Sequence, residues 1–174
     1  GGCLEWSDII ERAAAAPAFQ AFIDVDAPEL AALQPSMPDT VNDYLKRTGQ
    51  RELTDAAEFS RTIFEGLILK FRACFIEIET YTCRTLSRIH IIGGGSRNSF
   101  ICQGTADALG VPVYAGPVEA TAIGNLLAQM KAAGTIRTVA EGHEMVRQSV
   151  EVKVYEPVKN GGWHYAEFFS SSRT

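Results

Sequence analysis

The chain changes character near residue 55. From there apolar residues recur at Phe59, Ile63, Leu67, Phe71, Phe75 and Ile78. Steps of four and three place them on one face of a helix. Phe64, Ile68 and Cys74 widen the stripe, which predicts a long helix buried on most sides. Asp55 with Glu58 supplies an N-cap and an N3 acid at its start. The pattern then shortens. Residues 88–92 read as an apolar strand and 97–109 as a helix closed by Gly110, with a second strand over 111–114. Gly116-Pro117 opens another helix, with proline at its first position, Glu119 in its first turn and Gly134 at its end. The order helix, strand, helix, strand, helix predicts an α/β fold with a parallel sheet and right-handed crossovers.

The flanks are less regular. Residues 1–54 are irregular, and Pro28, Pro35 and Pro38, with few apolar residues between them, punctuate what reads as a surface excursion. Ser7 can cap a short helix that Pro17 stops, and residues 37–46 suit another. Residues 55–150 form the α/β core, with a helical pattern over 139–149 at its end. Over 151–174 the chain is an extended segment and tail: Val150, Val152 and Val154 alternate like an edge strand, and 163–169 read as an aromatic-rich helix or tail. Ala120, Gly124 and Ala128 share a helical face narrow enough for close packing. Two strands are too few for an independent sheet, which averages roughly 5–6. The chain is therefore expected to belong to a larger domain with further strands upstream, and Gly1-Gly2-Cys3-Leu4-Glu5-Trp6 reads as the interior of a polypeptide.

Composition excludes several classes. The chain has 174 residues, 46% apolar and 21% charged, with a formal net charge of -5. No Lys/Arg cluster interleaves with aromatics, so nucleic acid is not an expected partner. No apolar run approaches the ~20 residues of a membrane span, and no secretory signal pattern is present. Cys3, Cys74, Cys83 and Cys102 form no C-x-x-C pair and have no paired histidines, so reduced thiols in a cytoplasmic protein are expected. His90, His143 and His164 are far apart, and His90 reads as a structural residue of its strand. No residue is nominated as catalytic or as a metal ligand.

The chemistry concentrates in Ile89-His90-Ile91-Ile92-Gly93-Gly94-Gly95-Ser96-Arg97-Asn98. A strand reaches three glycines and then a helix start, which leaves backbone N–H groups bare for an anionic or sugar-bearing ligand. Nucleotides are both. The run is not G-x-G-x-x-G, because Asn98 stands where the third glycine belongs, and it lacks the Gly-Lys-Ser/Thr of a P-loop. A tight turn alone is the competing reading. Ser96 is the expected N-cap. Asn98, two residues into the helix, can meet a ribose hydroxyl or base edge, or can face solvent.

Three segments together resemble the C-terminal domain of the FGGY carbohydrate kinases. They are Ser60-Arg61-Thr62-Ile63-Phe64-Glu65-Gly66-Leu67, the run from Ile89 to Asn98, and Thr105-Ala106-Asp107. Within that family, Ala115-Gly116-Pro117-Val118-Glu119-Ala120-Thr121-Ala122-Ile123-Gly124-Asn125 is most similar to the rhamnulokinase branch, as are Phe22-Ile23-Asp24, Met37-Pro38 and Thr48-Gly49-Gln50. The resemblance implies an actin-like ATPase fold of two ribonuclease-H-like domains, this chain being part of the C-terminal one. It implies ATP and Mg²⁺ as cofactors, with the γ-phosphoryl group passing to the 1-hydroxyl of L-rhamnulose or a related ketose. By the same resemblance Gly94 and Gly95 let the backbone pass close to the nucleotide, and Asn98 contacts the adenosine. The catalytic aspartate and phosphate-binding loop would lie upstream, in the N-terminal part of the kinase, which leaves this chain inactive alone. A truncated, non-catalytic nucleotide- or partner-binding module is the alternative. A dinucleotide-binding oxidoreductase is disfavoured by Asn98. Gly66 departs from the serine usual in the family, at a cost of about 1 kcal/mol against alanine in a helix.

Overall fold

The computed structural model describes residues 5–31, 35–158 and 163. One helix organises it. Helix α4 (Ala56–Thr82) follows three shorter ones, α1 (Trp6–Ala15), α2 (Pro28–Ala31) and α3 (Met37–Arg47). Asp55 caps α4 as its sequence predicts, accepting from the Ala57 N–H at 2.6 Å. Its burial differs from the predicted stripe. Of the six stripe residues only Phe75 is buried, and Phe71 and Ile78 are 40% and 49% exposed. The buried positions are Thr62, Phe64, Glu65, Gly66, Ile68 and Leu69 with Phe75. The reason is that different partners cover different sides of the first half of α4, whereas the second half is largely uncovered among the described residues.

Residues before 55 were expected to skim a surface, yet they build a core of their own. Ala21, Ile23, Val41, Leu45 and Leu53 are buried together, with Phe59 and Ile63 of α4 packed against them. The extended stretches here have no sheet partner, so side-chain amides stand in. The Phe22 N–H donates to Gln50 Oε1 (2.8 Å), and Gln50 Nε2 donates back to the Phe22 carbonyl (2.9 Å). Asn42 does the same for Leu53, at 2.8 and 2.9 Å. Helix α1 begins at Trp6, and its N-cap Glu5 makes no side-chain cap bond, so Ser7 lies inside the first turn and is not the cap. Gly66 lies where this N-terminal region crosses α4: a Cβ there would sit 3.0 Å from the Ile23 carbonyl oxygen. The close crossing offsets the lower helix propensity of glycine.

A buried ion pair fastens the parts together. Arg61 Nε donates to Glu65 Oε1 at 2.7 Å, one turn along α4. Arg61 Nη1 reaches the carbonyls of Ala13 (3.1 Å), Ala14 (2.9 Å) and Ala16 (2.6 Å) at the end of α1. Both Glu65 oxygens accept from the Phe19 N–H, at 3.2 and 3.0 Å. Burial pushes the Glu65 carboxyl above its ordinary pKa, against the pull of Arg61 and of the Phe19 N–H.

Beyond α4 come β1 (Ile89–Ile91), α5 (Ser99–Leu109), β2 (Val113–Ala115), α6 (Ala120–Ala132), α7 (Val139–Ser149) and β3 (Lys153–Tyr155). The sheet order is β1-β2-β3. β1 pairs with β2 in parallel, as predicted, but β3 joins β2 antiparallel, so the sheet is mixed. Cys102 and Ala106 of α5 are buried with Val113, Ala115 and Tyr155 on one sheet face. Helix α6 starts at Ala120 and not at Pro117; Gly116-Pro117 is a cis peptide in the loop before it, and Glu119 occupies the N-cap without a side-chain bond. The small face of α6 makes no close packing among the described residues, since no residue of α6 is buried and a Cβ at Gly124 would meet nothing within 4 Å. Of the terminal aromatic segment, only Trp163 falls within the described residues.

Glu65→Ala should lower the unfolding free energy by about 1–3 kcal/mol, because the Phe19 N–H loses its acceptor and the half-buried Arg61 loses its partner. Chemical denaturation checks this, and a loss below about 1 kcal/mol, the value of a surface pair, would contradict it.

Candidate functional site

The glycine run sits at the carboxyl ends of two parallel strands, where open α/β sheets take ligands. β1 ends, Ile92 continues extended, and Gly93–Arg97 form one 3₁₀ turn. Gly93 has φ +70°, a conformation that favours glycine. Its N–H donates to the Pro117 carbonyl (3.0 Å), while the Gly116 N–H donates to the Ile91 carbonyl (2.8 Å). These two bonds tie the loop after β1 to the loop after β2. Gly116 has φ +120°, and a Cβ there would lie 3.1 Å from the Glu151 carbonyl oxygen.

The predicted roles of Ser96 and Asn98 are redistributed. Ser96 does not cap α5; its hydroxyl donates to the Gly93 carbonyl at 2.6 Å and closes the 3₁₀ turn. Asn98 is the N-cap. Its Oδ1 accepts from the Ile101 N–H at 3.1 Å, and its own N–H donates to the Gly95 carbonyl at 3.1 Å. The helix begins two residues later than expected because the 3₁₀ turn uses up 93–97. Asn98 is 2% exposed, so it is not the solvated first-turn residue that the sequence allowed. Its Nδ2 is buried without a hydrogen-bond partner among the described atoms. Buried polar atoms are seldom left so.

Gly94 and Gly95 form the outer wall of this corner. Both are exposed. A Cβ on Gly94 would meet nothing within 4 Å, and one on Gly95 would only touch Ile91 Cγ2 at 3.5 Å. Beneath them the Cys102 thiol lies 3.8 Å from the carbonyls of Gly95 and Ser96. Burial pushes that thiol up to about 11, so it stays protonated and can donate to them. An open glycine wall beside an unpartnered amide donor suits a ligand rich in acceptors, such as a ribose or a purine edge. Among the described residues no group of three or more His, Cys, Asp or Glu could hold a metal ion, so these residues do not by themselves supply a Mg²⁺ site.

Other features lie apart from the corner. His90 is exposed and stacks on Tyr114 across the strand pair, with centroids 5.1 Å apart and planes at 17°. An apolar groove of about 340 Å³ runs beside β1, lined by residues such as Phe71, Ile78, Leu86, Ile89 and Thr105. Among the described residues β1 has no partner on that side, and Thr105 Oγ1 is buried without a partner. A wider polar cleft of about 700 Å³ lies between α2 and α3, where Arg47 pairs with Glu29 and covers the Tyr44 ring. Sequence reasoning missed the amide clamps of Asn42 and Gln50 and the tie between the two loops. The Arg61/Glu65 pair was legible as opposite charges four apart within an apolar helix.

The model of the FGGY family of carbohydrate kinases, C-terminal domain, matches residues 3–133. A rhamnulokinase of Bacteroides thetaiotaomicron is 34% identical over 168 residues, which is 94% of this chain and 34% of that protein. A rhamnulokinase of Bacillus subtilis is 38% identical over 153 residues, 87% of this chain and 31% of that one. The chain thus spans about a third of the length of these relatives. Among solved structures, a gluconate kinase from Lactobacillus acidophilus matches with TM-score 0.58 and 19% identity, covering 95% of this chain and 32% of that one. A ligand-bound xylulose kinase from the same organism matches with TM-score 0.57 and 19% identity, covering 95% and 33%. The two structures bear on the fold alone.

Asn98→Ala should cost about 1 kcal/mol through loss of the cap and speed hydrogen exchange at the Ile101 amide. Unchanged exchange at Ile101 would show that the cap bond does not hold the start of α5.

Proposed function

Because the chain belongs to the FGGY family of carbohydrate kinases, with part of the C-terminal domain of an actin-like ATPase fold, we propose that it is the nucleotide-binding C-terminal portion of a rhamnulokinase. That enzyme transfers the γ-phosphoryl group of ATP to the 1-hydroxyl of L-rhamnulose. The observation that carries the reading is identity of 34–38% to rhamnulokinases over most of the chain. ATP supplies the phosphoryl group when bound. This chain's own residues hold the adenosine end: the Gly94–Gly95 backbone passes against it, and Asn98 Nδ2 donates to it. The open space at Gly94 and the orphaned Asn98 amide support that assignment.

Phosphoryl transfer rests on positioning and charge stabilisation. Among the described residues no group of three or more His, Cys, Asp or Glu could hold a metal ion, and on this reading the catalytic aspartate and the Mg²⁺ contacts belong to polypeptide outside this chain. That polypeptide also completes the sheet: the free edge of β1 and the groove beside it suit an added strand. No helix among the described residues is long and apolar enough to cross a membrane, and a cytoplasmic enzyme fits the free Cys74, Cys83 and Cys102.

The test is ATP-dependent phosphorylation of L-rhamnulose by the longest natural form of the protein, with calorimetric titration of ATP and ADP. No phosphorylation of any ketose would sink the reading. Gly94→Val should raise KM for ATP by about tenfold or more, since a β-branched side chain would fill open space at the corner. The same variant should keep its thermal midpoint, because nothing in the fold meets that side chain. Unchanged saturation by ATP would remove the corner from the site.

A further inference from the structure

The segment that follows β3 lies along α5. The Val158 N–H donates to Asp107 Oδ1 at 2.8 Å, and Gln103 Nε2 donates to the Glu156 carbonyl at 2.9 Å. Gln103 Nε2 also donates to Asp107 Oδ1 at 2.8 Å, which joins both contacts into one rail. Trp163 makes a second attachment. A Cβ on Gly104 would sit 3.1 Å from Trp163 Cζ2, and the Trp163 ring meets Phe19 edge-on with centroids 5.1 Å apart. Residues 156–158 and Trp163 are thus fixed to the middle and end of α5, while the start of α5 forms the glycine corner.

The link between the two ends is short. Cys102, next to Gln103, is the α5 side chain whose sulfur touches the carbonyls of Gly95 and Ser96. A helix of 11 residues is about 16 Å long and moves as a rod. Nothing lies within 4 Å of a Cβ at Gly94, so the corner gains no placement from its outer side. Its position is set from behind, by α5 and what holds α5, and from the side by the Gly93 N–H bond to the Pro117 carbonyl.

We infer that residues 156–158 and Trp163 form a brace that positions the nucleotide corner through α5, with Asp107 and Gln103 as positioning residues. The inference rests on the corner being the adenosine site. The brace does not touch ligand. It keeps Asn98 and the Gly94–Gly95 backbone in the one placement that accepts it, so loosening the brace lowers the competent fraction and weakens apparent nucleotide affinity in proportion.

The experiment uses the longest natural form of the protein, with ATP and L-rhamnulose as substrates. Asp107→Ala should raise KM for ATP about fivefold while kcat and the KM for the ketose stay within about twofold. Amide exchange at Ile101 should quicken in the same variant. Asp107→Asn keeps an acceptor oxygen at the same place and should restore both. If Asp107→Ala fails to fold, Val158→Pro removes the donor of that bond instead and should give the same split. A wild-type KM for ATP in Asp107→Ala, beside a raised KM in Gly94→Val, overturns the brace and leaves the nucleotide reading intact. Unchanged KM in both variants overturns the nucleotide reading and the inference with it.

Discussion

The Arg61–Glu65 pair is the interaction on which the rest of the architecture depends. Its guanidinium closes off the carbonyls at the end of α1 and lies over the Phe100 ring of α5 with its central carbon 5.1 Å from the centroid. Its carboxylate holds the Phe19 N–H, where the chain turns with φ 52°. Two side chains one turn apart on α4 therefore set the positions of α1, the following loop and α5. Taking these charges out of water is costly, and the raised pKa of Glu65 reports that cost. Buried pairs of this kind are weak sources of net stability but strict about geometry, since loss of either member strands the other.

With α5 held, the glycine corner follows. The Asn98 cap fixes the first turn of α5, and the Cys102 thiol supports the turn that precedes it. The bonds Gly93 N–H to Pro117 and Gly116 N–H to Ile91 make the loops after β1 and β2 a single rigid wall. This is how three short strands among the described residues present a defined crevice. The wall is built from main chain, which gives a sugar or base a surface without side-chain bulk. The uncovered half of α4 and the bare edge of β1 have the opposite character. They are apolar and open, as expected of surfaces that pack within a longer polypeptide.

Much of this was legible in local sequence. Asp55 before an apolar helix, Gly110 after one, and three glycines after a strand each specify a backbone conformation through their own side chain or its lack. The N-caps of α1 and α5 were not legible. Ser7, Ser96 and Asn98 are all competent caps, and which one serves depends on how much chain the preceding turn takes up. At Ser96 a 3₁₀ turn intervened; at Pro117 a loop tied to β1 did. The stripe on α4 failed for a related reason. Periodicity shows that a face is apolar but not which neighbour covers it, and the residues that would cover Phe71 and Ile78 are not part of the described fold.

The sequence alone determined the longer helices, the two parallel strands, the place of the glycine turn and the family, whereas the short α2 formed in a stretch that read as a surface excursion. Those depend on residues within one or two turns of each other and on short runs that few folds share. Tertiary structure alone decided that Asn98 is buried with its amide unmet among the described residues, that Gln50 and Asn42 take the place of strand partners, and that residues 156–158 are pinned to α5. The amide clamps and the contacts on α5 join residues about ten to fifty positions apart, and only the folded chain brings such groups to hydrogen-bond distance.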